Sequence, residues 1–144
     1  MALDSFYWRD TLPAQVTVNR LVTGTYNQAQ NYKIVYKVNG AGAYRTLADN
    51  LSTTKNYVLD MRPAVLGLAA NERVTEIMFV FGTVPAGFAQ VETPVLYGTV
   101  CGGLSNGTNL VNSADVGGLY SGQWVQAVSR WLTTVYAKMT MTLP

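Results

Sequence analysis

The chain has 144 residues, which is the length of one domain and enough to bury a sizeable single core. Apolar residues make up 49% of it and charged residues only 12%, a composition that is typical of an all-β extracellular domain. The formal net charge is +2, and the Lys and Arg residues are scattered singly along the chain. Without a basic cluster to contact phosphate groups, nucleic-acid binding is disfavoured.

Alternation of apolar and polar residues, the pattern of strands, runs along most of the chain. In the first strand Phe6, Trp8, Asp10 and Leu12 share one face, and Pro13 ends the strand. Further strands follow, and turn residues separate them.

The segment YKIVYKVNGAGAYRTL (32–47) has the pattern of a β-hairpin. Asn39-Gly40 supplies the turn between two alternating runs. The alternation in the first run places four apolar side chains inward: Tyr32, Ile34, Tyr36 and Val38.

The middle of the chain holds one short helix and one fully apolar strand. MRPAVLGLAANE (61–72) can form one or two helical turns at most, with Pro63 at a suitable first position. RVTEIMFVFG (73–82) is apolar on both faces, which predicts a strand inside a sheet. Together the patterns predict about eight or nine short strands in an all-β, immunoglobulin-like, two-sheet Greek-key sandwich. This single domain covers residues 1–138, and residues 139–144 form a C-terminal tail.

The closing segment NSADVGGLYSGQWVQAVSRWLTTVY (112–136) allows two interpretations. Trp124, Val128, Trp131 and Val135 fit helical spacing, whereas the β-branched and aromatic content favours a long strand. Both faces of that strand carry apolar residues. We therefore predict a central strand that is covered on both sides rather than the wall of a cleft.

The sequence contains few of the residue patterns that catalysis or metal binding would need. The chain has no histidine, so it cannot build a Ser-His-Asp arrangement. One cysteine, Cys101, and eight unclustered carboxylates make neither an internal disulfide nor a predicted metal site. The glycine pairs at 102–103 and 117–118 are interpreted as turns and match no phosphate-binding loop. We predict a protein that is not an enzyme and carries no cofactor or metal.

Three polar residues fall on inward positions: Asp10, Glu76 and Asn112. Burial of such groups costs on the order of several kcal/mol unless they are paired, so each is expected to cap a turn or bond to nearby backbone. A second hypothesis is a Lys-Asn isopeptide bond, in which a buried lysine amine attacks the Asn112 carboxamide while a protonated Asp10 or Glu76 polarises it. The candidate amines are Lys33, on the outward face of its hairpin, and Lys138.

Five segments carry a family resemblance: FYWRDTLP (6–13), TGTYN (23–27), YKIVYKVNG with YRTLADNLSTTKNYVLD (32–60), LGLAANERVTEIMFVFGTVPAGF (66–88) and NSADVGGLYSGQWVQAVSRWLTTVY (112–136). They resemble a β-sandwich repeat domain of wall-anchored surface proteins of Gram-positive bacteria, among the adhesin and pilin-like stalk domains. The resemblance implies an extracellular, cell-wall-attached stalk or presentation module. In that family an LPxTG sorting signal follows, and Leu143-Pro144 would be its start.

The beginning of the chain departs from the family pattern. Such domains usually carry a strand before the DTLP strand, and its absence implies an open sheet edge that pairs with a neighbouring domain, a second copy or another partner. One alternative is a module that binds a glycan or a host protein, with Tyr120, Trp124 or Tyr136 stacking on a sugar ring. Another is a phage or virion structural protein. No apolar stretch reaches the ~20 residues of a membrane span, so we predict no membrane insertion.

Overall fold

A computed structural model describes residues 2–100, 109–134 and 140–142. Their elements, in chain order, are β1 (Leu3–Thr11), β2 (Val16–Val22), β3 (Thr25–Tyr26), β4 (Asn31–Val38), β5 (Ala41–Ser52), β6 (Val58–Asp60), α1 (Pro63–Leu66), β7 (Val74–Val84), β8 (Gln90–Glu92), β9 (Val95–Val100), β10 (Asn109–Tyr120), β11 (Gln123–Thr134) and β12 (Thr140–Thr142). Within these ranges eight strands have six or more residues, close to the predicted number. The predicted short helix is confirmed as a single turn that begins at Pro63.

The strands form two larger antiparallel sheets and one small pair. The six-stranded sheet has the order β11-β10-β1-β7-β4-β5, the four-stranded sheet has the order β12-β9-β2-β6, and β3 pairs with β8. One core cluster joins the two larger sheets, with Trp8 and Phe79 contributed by the first and Leu21 and Leu96 by the second. The predicted all-β sandwich is confirmed, because two sheets bury their inner faces against each other.

The β4–β5 hairpin is also confirmed. Its turn residues, Asn39 and Gly40, have φ angles of 53° and 64°, and this left-handed pair matches the right-handed twist of the flanking strands. The four side chains predicted to point inward are all buried.

Strand β7 lies between β1 and β4, as its apolar character predicted. Its alternation is broken near its start, because Lys37 pairs with Glu76 whereas the next residue of β4 pairs with Val74. The extra residue, Thr75, forms a bulge, so that Val74 and Ile77 are both buried. The prediction that Glu76 points into the core is therefore wrong: the bulge moves this carboxylate to the opposite face.

The first strand is not next to an open edge. Strand β1 pairs with β10 on one side and with β7 on the other, in the middle of the six-stranded sheet. The prediction of an unpaired edge beside β1 is thus wrong. Among the described strands, β11 and β5 are the edges of this sheet.

The glycine pair Gly117-Gly118 lies inside strand β10, and the turn comes later, at Ser121 and Gly122, which both have positive φ. Interpreting the pair as a turn was wrong because these glycines serve close packing instead. A Cβ at Gly117 would lie 3.0 Å from the Tyr7 ring, and one at Gly118 would lie 3.0 Å from a backbone oxygen of β1. Gly102-Gly103 and Cys101 lie outside the described residues.

The β structure predicted for the closing segment is confirmed, but the segment is not one long strand: it forms the end of β10 and then β11, joined by the turn at Ser121 and Gly122, and its predicted central placement is wrong. Strand β11 pairs with β10 and forms an edge of the sheet in the described part of the chain. The Trp124 side chain is 65% exposed and that of Val125 is 42% exposed. Strand β11 therefore carries apolar residues on both faces, although in the described part of the chain only one neighbouring strand is hydrogen-bonded to it. Among the described residues there is no helix with the length and apolarity to cross a membrane.

Candidate functional site

One side of the six-stranded sheet packs on the core, and the other, which we call the outer face, carries a connected row of polar side chains. Every one of the six strands contributes at least one member. From edge to edge the row consists of Gln126 on β11, Asp115 on β10, Tyr7 and Arg9 on β1, Glu76 on β7, Lys37 on β4 and Tyr44 on β5. We call this row the outer-face network.

The strongest link of the outer-face network joins Arg9 and Asp115, which are direct partners across β1 and β10. The Arg9 Nε donates to Asp115 Oδ1 at 2.8 Å, and Nη2 donates to Oδ2 at 2.7 Å. This two-pronged geometry matches the planar guanidinium to the carboxylate. The Arg9 side chain is 31% exposed and that of Asp115 only 10% exposed, so solvent screens the pair less than an ordinary surface pair.

Asp115 accepts two further hydrogen bonds. The Tyr7 hydroxyl donates to Oδ2 at 2.8 Å, and the Gln126 Nε2 donates to the same oxygen at 2.7 Å. Gln126 Nε2 also donates to the Tyr7 hydroxyl oxygen at 3.2 Å. Burial raises the pKa of the Asp115 carboxyl, but the hydrogen bonds from Arg9, Gln126 and Tyr7 outweigh burial and hold that pKa below its ordinary value.

The other half of the outer-face network centres on Glu76. Arg9 Nε lies 3.5 Å from Glu76 Oε1, and Lys37 Nζ lies 3.6 Å from Oε2. The Tyr44 hydroxyl donates to Oε2 at 3.0 Å, while the Lys37 ammonium lies 4.5 Å from the centre of the Tyr44 ring. Arg9 thus connects the two carboxylates, Glu76 and Asp115, and carries the network across the middle of the sheet.

This arrangement is suited to holding strands together and to presenting fixed polar atoms. Two cations, Arg9 and Lys37, balance two carboxylates, Asp115 and Glu76, so the network has no net charge. Residue spacing along the chain does not indicate this network, because its members are brought together by strand register. The available signal was weak: polar residues at outward positions of strands, without any indication of which strands are neighbours.

Among the described side chains of the hypothetical isopeptide, Asp10, Glu76 and Lys33 are not brought together. Asp10 is fully buried on the core side of β1. Glu76 belongs to the outer-face network, and Lys33 is exposed on β4. Asn112 has a described backbone only, within β10, and Lys138 lies outside the described residues. Lys33 and Glu76 therefore lie on the face of the sheet opposite Asp10, and an isopeptide between Lys138 and Asn112 stays a prediction.

The three aromatic residues proposed for sugar stacking have different positions. Trp124 pairs with Leu119 near the end of the β10–β11 hairpin, and its indole is largely exposed. Tyr120, 39% exposed, lies on the same hairpin but alternates onto the other face of the sheet. Tyr136 lies outside the described residues.

The four-stranded sheet carries a separate open cleft of about 500 Å³. Its wall includes Arg20, whose guanidinium lies 4.1 Å from the centre of the Tyr97 ring. Arg62 in the same wall is paired with Asp60 at 2.7 Å. Both cations are therefore engaged by neighbours from this chain. In the described ranges no three His, Cys, Asp or Glu residues are grouped as metal ligands would be.

The fold and the outer face define the chain as an all-β sandwich domain with a networked sheet face. Comparison with known proteins adds no relative: no family model, no curated protein and no solved structure matches the chain.

Proposed function

We propose that the chain is a non-enzymatic structural domain that continues its six-stranded sheet into a second copy of itself through strand β11. The observation that carries the proposal is the difference between the two edges of this sheet. One edge has the features that prevent pairing with another chain, and the other lacks them.

The β5 edge is protected. Its pairing with β4 shifts register at three points, so that the strand is irregular. Gly42 and Asn50 have φ angles of 77° and 53°, which bend the backbone away from a flat strand. Arg45 and Asp49 add exposed charges. Irregularity and charge are the usual means by which proteins keep an edge strand from recruiting partners.

The β11 edge lacks these protective features within the described residues. Twelve successive residues pair with β10 without any register shift, from Tyr120↔Gln123 to Asn109↔Thr134. The segment contains no proline and one charged residue, Arg130. A long, regular and nearly uncharged edge presents a row of backbone donors and acceptors to any compatible strand.

A second copy of β11 is the partner that fits best. Two identical strands can pair in antiparallel fashion around a two-fold axis, since each then donates and accepts in the same pattern. The near absence of charge means that the pairing brings few like charges together. Strand β5, with its charges and bends, offers no such match.

The oligomeric state tests this proposal. We expect the purified protein to form a concentration-dependent dimer in size-exclusion chromatography with light scattering. Val125→Lys should give a monomer, because a lysine on an exposed edge position opposes strand addition. Thr46→Lys on the protected β5 edge is the matched control and should leave the dimer intact. A wild-type chain that stays monomeric at all concentrations up to the millimolar range would rule the proposal out.

The biological setting stays a prediction. The resemblance to wall-anchored surface domains favours an extracellular stalk or presentation module attached to the cell wall. A phage or virion particle is the alternative setting, because a structural protein of such a particle can have the same sandwich architecture. The absence of histidine from the sequence supports a non-enzymatic role in either setting.

A further inference from the structure

We propose that the outer face beside the β10–β11 hairpin binds a neutral oligosaccharide. Trp124 is the stacking platform, and Tyr7, Asp115 and Gln126 form the polar corner that recognises hydroxyl groups. This site is distinct from the β11 backbone edge, because it uses side chains that project from the face of the sheet.

Trp124 provides the apolar surface. Its side chain is 65% exposed, an unusual state for the largest apolar side chain. Strand alternation places Trp124 on the same face of the sheet as Gln126. The two residues are two positions apart on β11, so their Cα atoms are about 7 Å apart. An exposed indole offers a flat ring for the apolar face of a sugar and an N–H group for a hydroxyl.

Tyr7, Asp115 and Gln126 provide the polar atoms. The Tyr7 and Gln126 donors converge on Asp115 Oδ2 at 2.8 and 2.7 Å, and a 3.2 Å bond joins them to each other. Their mutual hydrogen bonds and the Arg9 pair fix these side chains before a ligand arrives, so little conformational entropy is lost on binding. Carboxylate, amide and phenol groups together can both donate to and accept from neighbouring sugar hydroxyls.

The charge balance selects a neutral ligand. Arg9 and Lys37 are each held by a carboxylate of the outer-face network, so neither of these two cations is free to attract a polyanion. A sulfated or phosphorylated polymer would also lie close to the two carboxylates of the network, Asp115 and Glu76, whose charge is only balanced by those paired cations. A polymer with many hydroxyl groups and no charge avoids that repulsion.

Binding can be measured by isothermal titration with four neutral hexasaccharides: cellohexaose, maltohexaose, mannohexaose and hexa-N-acetylchitohexaose. We expect at least one to bind with a Kd in the range of about 10 μM to 1 mM. Trp124→Ala should weaken that binding at least about tenfold, while Trp124→Tyr, which keeps a ring, should retain part of it. Gln126→Ala should weaken it as well. Val65→Ala, at an exposed apolar residue on the distant helix α1, is the control and should bind as the wild type does.

Three results would overturn the site. They are binding of none of the four sugars below about 10 mM, unchanged affinity in a folded Trp124→Ala variant, and binding of a sulfated heparin hexasaccharide in place of the neutral ones. Circular dichroism of each variant checks the fold. The monomeric Val125→Lys variant separates the two proposals, since it should lose self-association and still bind the sugar.

Discussion

Arg9 and Asp115 lie directly opposite each other on strands β1 and β10, although 106 positions separate them in the sequence. Their ion pair has the same 2.7 Å separation as the pair between Arg62 and Asp60. The two pairs differ in exposure: 31% and 10% for the first, 64% and 43% for the second. The chain thus contains a natural comparison between a sheltered and an exposed ion pair.

Asp115→Asn should destabilise the protein by about 1–3 kcal/mol, since it weakens four charge-assisted hydrogen bonds in a partly buried setting. Asp60→Asn is the matched control and should leave stability unchanged within error, because exposed pairs contribute little. Urea unfolding followed by circular dichroism measures both variants. Equal losses of unfolding free energy in the two variants would show that partial burial of the Arg9–Asp115 pair does not increase its contribution.

The stability that Asp115 contributes should depend on pH. Its folded pKa lies below the unfolded value of about 3.9, so its contribution is present above that value and is lost as pH falls through the folded pKa. The difference in unfolding free energy between wild type and Asp115→Asn should therefore be largest near neutral pH and should shrink in acid. A urea titration at several pH values from 7 down to about 2 tests this. A difference that stays constant over the range would show that the carboxylate charge is not responsible.

Tyr26→Phe should leave stability unchanged or raise it by up to about 1 kcal/mol. The Tyr26 hydroxyl is buried with no hydrogen-bond partner in the part of the chain that the structure describes, so its removal relieves a desolvation cost. The ring contacts with Phe81 and Phe88, at centroid distances of 5.0 and 5.4 Å, remain in the variant. Tyr120→Phe, at a partly exposed position, is the control and should have no effect. A clear loss of stability in Tyr26→Phe would mean that the hydroxyl has an important partner.

The same variant should change the alkaline stability. Burial raises the pKa of Tyr26 far above its ordinary value, so above the unfolded pKa of about 10 the unfolded chain loses the Tyr26 proton while the folded chain keeps it, and the wild type loses stability as pH rises beyond that value. Tyr26→Phe should lose less stability than the wild type between about pH 9 and 11. The unfolding temperature of each protein is measured at those pH values. If it falls equally with pH in the wild type and in Tyr26→Phe, the prediction is wrong.

Gly24→Ala should be much more damaging than Gly42→Ala. Both glycines have similar positive φ angles, 75° and 77°, so an alanine at either position carries a strain of about 1 kcal/mol. Only at Gly24 would the added Cβ collide with the backbone oxygen of Glu92 and lie 3.0 Å from the Pro94 nitrogen. We expect an additional loss of about 1–3 kcal/mol there, measured by urea unfolding. Similar losses at both positions would show that backbone strain alone sets the cost.

The parts of the fold that sequence predicted best are those governed by local pattern. The β4–β5 hairpin follows from undisturbed alternation and from Asn39-Gly40, which favours one turn type. The inward assignment of Glu76 failed for a local reason as well, because a bulge at Thr75 reverses the alternation and no residue type marks it.

The order of the strands within the sheet could not be predicted from residue patterns. Strand β11 is as apolar as a central strand, and only its neighbours reveal that it is an edge. The candidate site depends on the same information. Tyr7 and Gln126 touch Asp115 because β1, β10 and β11 are adjacent, and 119 positions separate Tyr7 from Gln126 in the sequence. Trp124 was predicted as an aromatic candidate from composition. The polar residues that lie near it could be identified only once the register of β10 and β11 was known.

The central position of β1 also has a consequence for biosynthesis. A ribosome that has just completed β1 must add about a hundred more residues before β10 exists to pair with it. Until then an apolar strand that carries Trp8 has one side without its partner, and nascent-chain chaperones bind such segments. Contacts between distant parts of a sequence also slow folding, so the larger sheet closes late, after most of the chain has left the ribosome.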